Sequence, residues 1–199
     1  MLKLFYIPKT RASRVRWMLE EVGAPYELAR VDWAQAKSEW YRRKVHPLGA
    51  VPALEDGDTT IIESAAIVLH LADRFPEKGL APAVGQRGVY YQWIIYAMVT
   101  LEPLVEEFLA HTSKLPEEKR VPSIVSDCRA EFAAAARWVD DALGSGPFIL
   151  GDRLSAADVV LGSVLNWAAL VGLLADLPAT QGYVERLRAR PAFQAARKD

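Results

Sequence analysis

The chain has 199 residues, 51% hydrophobic and 25% charged, which is long enough for one large or two small domains with a sizeable buried core. Its formal net charge of −1 offers no electrostatic basis for binding nucleic acid or an anionic membrane. A single cysteine, Cys128, excludes an intramolecular disulfide framework; with no signal-peptide pattern and no membrane-length apolar run, the chain is expected to be soluble and cytoplasmic.

The first 75 or so residues alternate strand and helix signals. Leu2–Tyr6 is apolar and β-prone and predicts the first strand. Val15, Met18, Leu19 and Val22 recur at helical spacing, and Gly23 stands where a left-handed C-terminal residue belongs. Tyr26–Val31 predicts a second strand, and Ala34–Lys44 an irregular helix ended by His46-Pro47. Ala53–Glu55 and Thr59–Ile62 predict a hairpin about Asp56-Gly57-Asp58. Ser64–Phe75 reads as a helix with Ala65, Val68, Leu69 and Ala72 on its apolar side and Pro76 stopping it. The order β-α-β-α-β-β-α is that of a thioredoxin-like layer, a mixed sheet with helices on both faces.

From Pro76 to Gly88 prolines and glycines replace periodicity, as in a linker. Beyond it only helical stretches are expected: Arg87–His111, Pro122–Leu143, Ser155–Leu170 and Gln181–Arg190. The predicted fold is therefore an α/β thioredoxin-like N-terminal domain, residues 1–76, followed by an all-α C-terminal domain, residues 87–199. Ser155-Ala156-Ala157-Asp158 has the form of a capping box, which assigns Asp158 to folding rather than to chemistry.

One stretch carries most of the functional signal. Pro52 has no backbone N–H, so Val51-Pro52-Ala53-Leu54 belongs at the lip of a sheet rather than inside it. A cis Val51-Pro52 bond would turn the chain sharply and leave the Val51 N–H and C=O available to a ligand's backbone. Glu63-Ser64 then opens a helix, whose unpaired N–H groups suit a carboxylate. Together these residues form a surface for a short peptide with a free acidic end.

These motifs resemble the glutathione-binding half of cytosolic glutathione S-transferases of bacterial type. The resemblance runs in order along nearly the whole chain. Leu2-Lys3-Leu4-Phe5-Tyr6-Ile7-Pro8 is similar to the family's first strand and loop, and Ser13–Gly23 to its first helix. Leu154-Ser155-Ala156-Ala157-Asp158 is similar to the capping motif of its helical domain. It implies a homodimer in which glutathione thiolate attacks a small, largely apolar electrophile held on the helical domain's side, as in detoxification. Two alternatives stay open: a glutathione-dependent isomerase, peroxidase or dehalogenase on the same fold, and a non-catalytic binding module.

The resemblance also assigns site residues. Val51 would pair with the cysteinyl backbone beside Pro52, Glu63 would meet the γ-glutamyl ammonium, and Ser64 its carboxylate. Where the family often has lysine or glutamine before the Val-Pro pair, this chain has Ala50, so His46, Lys44 or Lys37 would reach the glycyl carboxylate. A free thiol has a pKa near ~8.5, so activation needs a hydrogen-bond donor and a helix N-terminus. The first loop offers Thr10, then Ser13, then Tyr6. The competing roles are a helix N-cap for Thr10, a place in the first turn for Ser13 and strand packing for Tyr6. Arg11, where the cysteine-using bacterial class has its cysteine, would favour the thiolate by charge or else be an ordinary solvated side chain. His46, His70 and His111 have no metal-site spacing and no cysteine partner, so no metal is expected.

Overall fold

The computed structural model describes residues 1–198. The chain divides into two compact units, one of residues 1–81 together with those from 189 onward, the other Pro82–Arg188.

The first unit is built on a four-stranded sheet in the order β2-β1-β3-β4: β1 Leu2–Tyr6, β2 Tyr26–Arg30, β3 Ala53–Asp56 and β4 Thr59–Ile62. β1 runs parallel to β2 and antiparallel to β3, and β3 pairs antiparallel with β4. The parallel pair requires a crossover, supplied by α1 (Ala12–Val22); β3 and β4 need only the turn at Gly57-Asp58. Gly23 ends α1 at φ 70°, donating its N–H to Leu19 O, as its position predicts. The expected irregular helix after β2 is two short ones, α2 (Trp33–Lys37) and α3 (Glu39–Lys44). Between them Ser38 takes an extended conformation (ψ 152°) and its hydroxyl accepts the Tyr41 N–H.

Phe5 and Ala53 of the sheet pack with Ala36, Tyr41 and Val45 from the α2–α3 segment, and the Phe5 and Tyr41 rings meet edge-on at 5.6 Å. α1 and α4 (Ser64–Arg74) pack against one another. Their buried residues include Val15, Met18 and Leu19 from α1 and Ile67, Val68 and Leu71 from α4. The last part of the chain, predicted to belong to the helical domain, groups with this unit instead. Phe193 meets Trp17 edge-on at 5.0 Å, and Arg190 grips Glu21 through two bonds of 2.6 and 2.8 Å. Arg16 donates to the Lys198 carbonyl. Pairwise contacts of this kind leave no trace in local periodicity.

The second unit is helical. Its first helix is α5 (Gly88–Tyr96), which continues through a π-helical stretch at Ala97–Leu101 into α6 (Glu102–Leu109). Pro103 has no N–H to offer the Val99 carbonyl, and the helix widens immediately before it. α7 (Pro122–Leu143), α8 (Ala156–Leu170) and α9 (Pro178–Arg188) follow; α10 (Pro191–Ala195) lies in the first unit. α8 is apolar and buried along most of its length, so its start is inside the protein.

There Asp158 accepts four hydrogen bonds: the Ile149 N–H, the Ser155 N–H, the Ser155 hydroxyl and the Tyr183 hydroxyl, each at 2.8 Å. Burial pushes its carboxyl pKa upward, against the pull of these donors, and burial beside Asp158 raises Tyr183 well above its ordinary value. The capping box thus also ties the Phe148–Gly151 turn and α9 to the start of α8.

Candidate glutathione site

The register of the sheet brings the candidate segments together. Phe5 of β1 stands opposite Ala53 of β3, which stands opposite Ile62 of β4. The loop leaving β1, the segment entering β3 and the residues leaving β4 therefore lie at one end of the sheet. Val51 and Pro52, Glu63 and Ser64, and the loop carrying Thr10 converge there.

The Val51-Pro52 peptide bond is cis. Val51 is half-buried, just outside the ladder that begins at Ala53, and the segment before it is fastened from several sides. The Tyr41 hydroxyl donates to the Ala50 carbonyl at 3.0 Å, and Lys37 Nζ to the Leu48 carbonyl at 3.2 Å. Burial pushes the Tyr41 pKa up to about 12, so it remains a donor at any ordinary pH. Gly49 has φ 60°, and a Cβ there would lie 2.5 Å from the Ala36 carbonyl oxygen. Only glycine fits that approach without strain. Local patterns did not single out Tyr41 or Gly49; their contacts with Ala50 and Ala36 appear only in the folded chain.

His46 is buried, and its Nδ1 accepts the Leu48 N–H at 3.3 Å, which leaves the ring proton on Nε2. Burial lowers its pKa from 6.5, with the Glu63 charge acting in the opposite sense. Of the other cations considered for the glycyl end, Lys37 is engaged with Leu48 and Lys44 is exposed.

Glu63 holds the N-cap position of α4 at φ 69°, ψ 111°, in the left half of backbone space where a non-glycine residue is strained. Its side chain is exposed and makes no capping hydrogen bond. Ser64, the first residue of α4, is 3% exposed, and its Oγ accepts from Arg14 Nη1 at 3.2 Å. Arg14, in the first turn of α1, is itself 4% exposed. No sequence signal singled it out, since its partner lies fifty residues away.

In the first loop the Thr10 hydroxyl donates to the Ile7 carbonyl at 2.7 Å and accepts the Ala12 N–H at 3.2 Å. It thus satisfies one of the donors at the start of α1. Lys9 beside it has φ 59°. Arg11 precedes the helix, half-buried and in helical conformation, and Ser13 lies half-buried in the first turn. Tyr6 is fully buried in β1, with the Arg16 guanidinium 5.4 Å from its ring centroid. Among the described residues no group of three or more His, Cys, Asp or Glu is placed to hold a metal ion.

Residues 4–79 match the family model for the glutathione S-transferase N-terminal domain, and residues 89–189 that for the glutathione S-transferase C-terminal domain. The chain belongs to the glutathione S-transferase family. It is 31% identical over 204 residues to glutathione S-transferase GstA of Escherichia coli O157:H7, with 98% of this chain and 96% of that protein covered. The crystal structure of a glutathione transferase from Methylococcus capsulatus str. Bath is similar at a TM-score of 0.87 and 30% identity, covering 100% of this chain and 98% of that one. A ternary complex of BphK, a bacterial glutathione S-transferase, is similar at a TM-score of 0.84 and 32% identity, covering 98% of each chain.

Proposed function

We propose that the chain binds glutathione at this end of the sheet and transfers its thiolate to small apolar electrophiles. The observation that carries this is the start of α4. There an exposed, strained Glu63 makes no cap, and Ser64 is buried and held by a cation, at the end of the sheet that also presents Val51. In this assignment the Val51 backbone pairs with the cysteinyl part beside Pro52. Glu63 takes the γ-glutamyl ammonium, and Ser64 with the first N–H groups of α4 takes the carboxylate. His46, neutral with its proton on Nε2, donates to the glycyl carboxylate.

The sulfur then lies toward the first loop. Thr10 serves the thiolate only if its hydroxyl leaves the Ile7 carbonyl; Ser13 is the next donor, and Tyr6 would have to emerge from a fully buried position. Arg11 and the N-terminus of α1 favour the anion by charge and dipole. The acceptor would sit on the side of the helical unit. Tyr91, Ile95 and Val99 are exposed four residues apart along one helix, which supports a homodimer. We place the protein in the cytoplasm, where glutathione is abundant and a free Cys128 is tolerated.

The engaged Thr10 hydroxyl favours a second possibility, a protein that binds glutathione without activating it. An ultraviolet titration of the bound thiol in Thr10→Val, Ser13→Ala and Tyr6→Phe, with a screen of electrophiles and hydroperoxides, separates the two. Transfer requires a bound-thiol pKa below the free value and turnover in the unmodified protein. A pKa left at the free value with no turnover removes it. A rise confined to one variant names the donor. Turnover of a hydroperoxide or an isomerisable substrate alone would assign the rival glutathione chemistries.

A further inference from the structure

Among the described residues only two that are not glycine hold a positive φ, Lys9 at 59° and Glu63 at 69°. Both stand at the end of the sheet where the candidate site lies. Glu63 has a part in the glutathione assignment above; Lys9 has none. It follows Pro8 in the turn that leaves β1, at the position where a positive φ calls for glycine. The Thr10 hydroxyl closes that turn on the Ile7 carbonyl at 2.7 Å and so holds Lys9 in its strained conformation.

A merely solvated lysine gains nothing from such a place, since glycine would form the same turn without strain. The Lys9 side chain is exposed, and no carboxylate among the described residues pairs with it. The turn thus carries an ammonium on a long flexible stem, on the loop toward which the sulfur lies. An exposed charge is screened by water and acts weakly at a distance, so what it can do is meet an anion directly. Glutathione's own carboxylates are assigned to the start of α4 and to His46. The anion that remains belongs to the other reactant.

We infer that Lys9 selects acceptors that carry a carboxylate on an otherwise apolar electrophile. The inference rests on the glutathione-transfer reading above and names the substrate class of that same site. Lys9 keeps its proton throughout and contacts only the acceptor's anionic group.

The test uses two probes that share one reaction: chlorodinitrobenzene, which is neutral, and chlorodinitrobenzoate, which adds a ring carboxylate. In each the glutathione thiolate forms a C–S bond at the carbon bearing chlorine, the C–Cl bond breaks, and chloride leaves with its electron pair. The carboxylate's effect on ring reactivity is common to every variant, so the readout is the ratio of kcat/KM, carboxylated over neutral. Lys9→Met should lower this ratio about two- to fivefold, the worth of an exposed ion pair, and Lys9→Arg should keep it. Raising ionic strength from about 0.01 M to about 1 M should erase most of the difference between wild type and Lys9→Met. Lys9→Gly should lower the ratio as Lys9→Met does while leaving Tm undiminished, because it relieves the turn. An unchanged ratio in Lys9→Met, a ratio lowered as far by Lys9→Arg, or a Tm lowered by Lys9→Gly would overturn the inference. An equal fall for both probes in Lys9→Met with a raised bound-thiol pKa would give the charge to the thiolate instead and overturn it too. If wild type transfers glutathione to the probes while Lys9→Met leaves the ratio unmoved, only the role of Lys9 falls. If wild type turns over neither probe, the transfer reading falls and takes this inference with it.

Discussion

At the start of α8, Ser155 and Asp158 are buried and bonded to each other, and the carboxylate also accepts from Ile149 and Tyr183. At the start of α4, Glu63 is exposed, strained and makes no cap, and the Ser64 hydroxyl receives a cation rather than an acid. Both helices thus open with a serine and an acid within one turn. In α8 the acid is saturated by donors inside the protein, so the motif contributes stability. In α4 the acid makes no capping bond and its backbone is strained, which is where the proposed function places the ligand.

The largest effect expected from breaking this contrast is on the saturated side. Asp158→Ala leaves the Ile149 N–H, the Ser155 N–H and the Tyr183 hydroxyl buried without their acceptor, at about 1–3 kcal/mol for each orphaned group. A loss of at least ~3 kcal/mol in denaturant unfolding is expected, with near-normal specific activity in whatever protein remains folded. Retained stability with lost turnover would make Asp158 catalytic after all.

On the open side the signs reverse. Glu63→Ala and Ser64→Ala should each weaken glutathione by roughly 1.5–3 kcal/mol, the value of a hydrogen bond to a charged group, while leaving the fold intact. Glu63→Gly should leave Tm undiminished, because glycine relieves a φ of 69° that costs on the order of 1 kcal/mol or more. A Tm lowered by Glu63→Gly to the extent seen in Asp158→Ala would erase the distinction between the two helix starts.

Gly49→Ala tests whether the neighbouring segment is built for the same purpose. A Cβ 2.5 Å from Ala36 O at φ 60° must push residues 46–50 away from α2, at a cost of about 1–3 kcal/mol. Glutathione affinity should fall with stability, since Val51 is carried by that segment; full affinity would show that the segment does not position Val51.

The smallest effect expected is a pH dependence from His46. Its folded pKa lies below 6.5, so as pH falls through about 6.5 the unfolded chain takes up a proton that the folded one resists. Stability present above that pH should therefore decline below it and level off under the folded pKa. The Glu63 charge partly supports the protonated ring, so Glu63→Gln should deepen the decline. Thermal melts between about pH 8 and pH 5 in one buffer series would show no such difference if the two side chains do not interact.

Much of the fold was legible along the chain because it is encoded locally. Val15, Met18, Leu19 and Val22 fall on one helical face, and Gly23 ends α1 where its freedom at positive φ is needed. Ser155 and Asp158 are three residues apart, the spacing at which one helical turn brings side chain and backbone together. Val51-Pro52 and Glu63-Ser64 are signals of the same short range, one beside a strand and one at a helix start. Local pattern placed residues 189–198 with the wrong partners. What holds them to the first unit is Phe193 on Trp17 and Arg190 on Glu21, pairs separated by more than 160 residues.

The sequence by itself determined the element order, since this follows from periodicity, breakers and caps. Only the tertiary structure decided which polar groups are already committed. It spent the Thr10 hydroxyl on Ile7, brought Arg14 beneath Ser64 and hung residues 46–50 from Tyr41 and Lys37. A hydrogen bond depends on a few tenths of an ångström and on the direction of a single proton, and chain spacing specifies neither across a packed sheet.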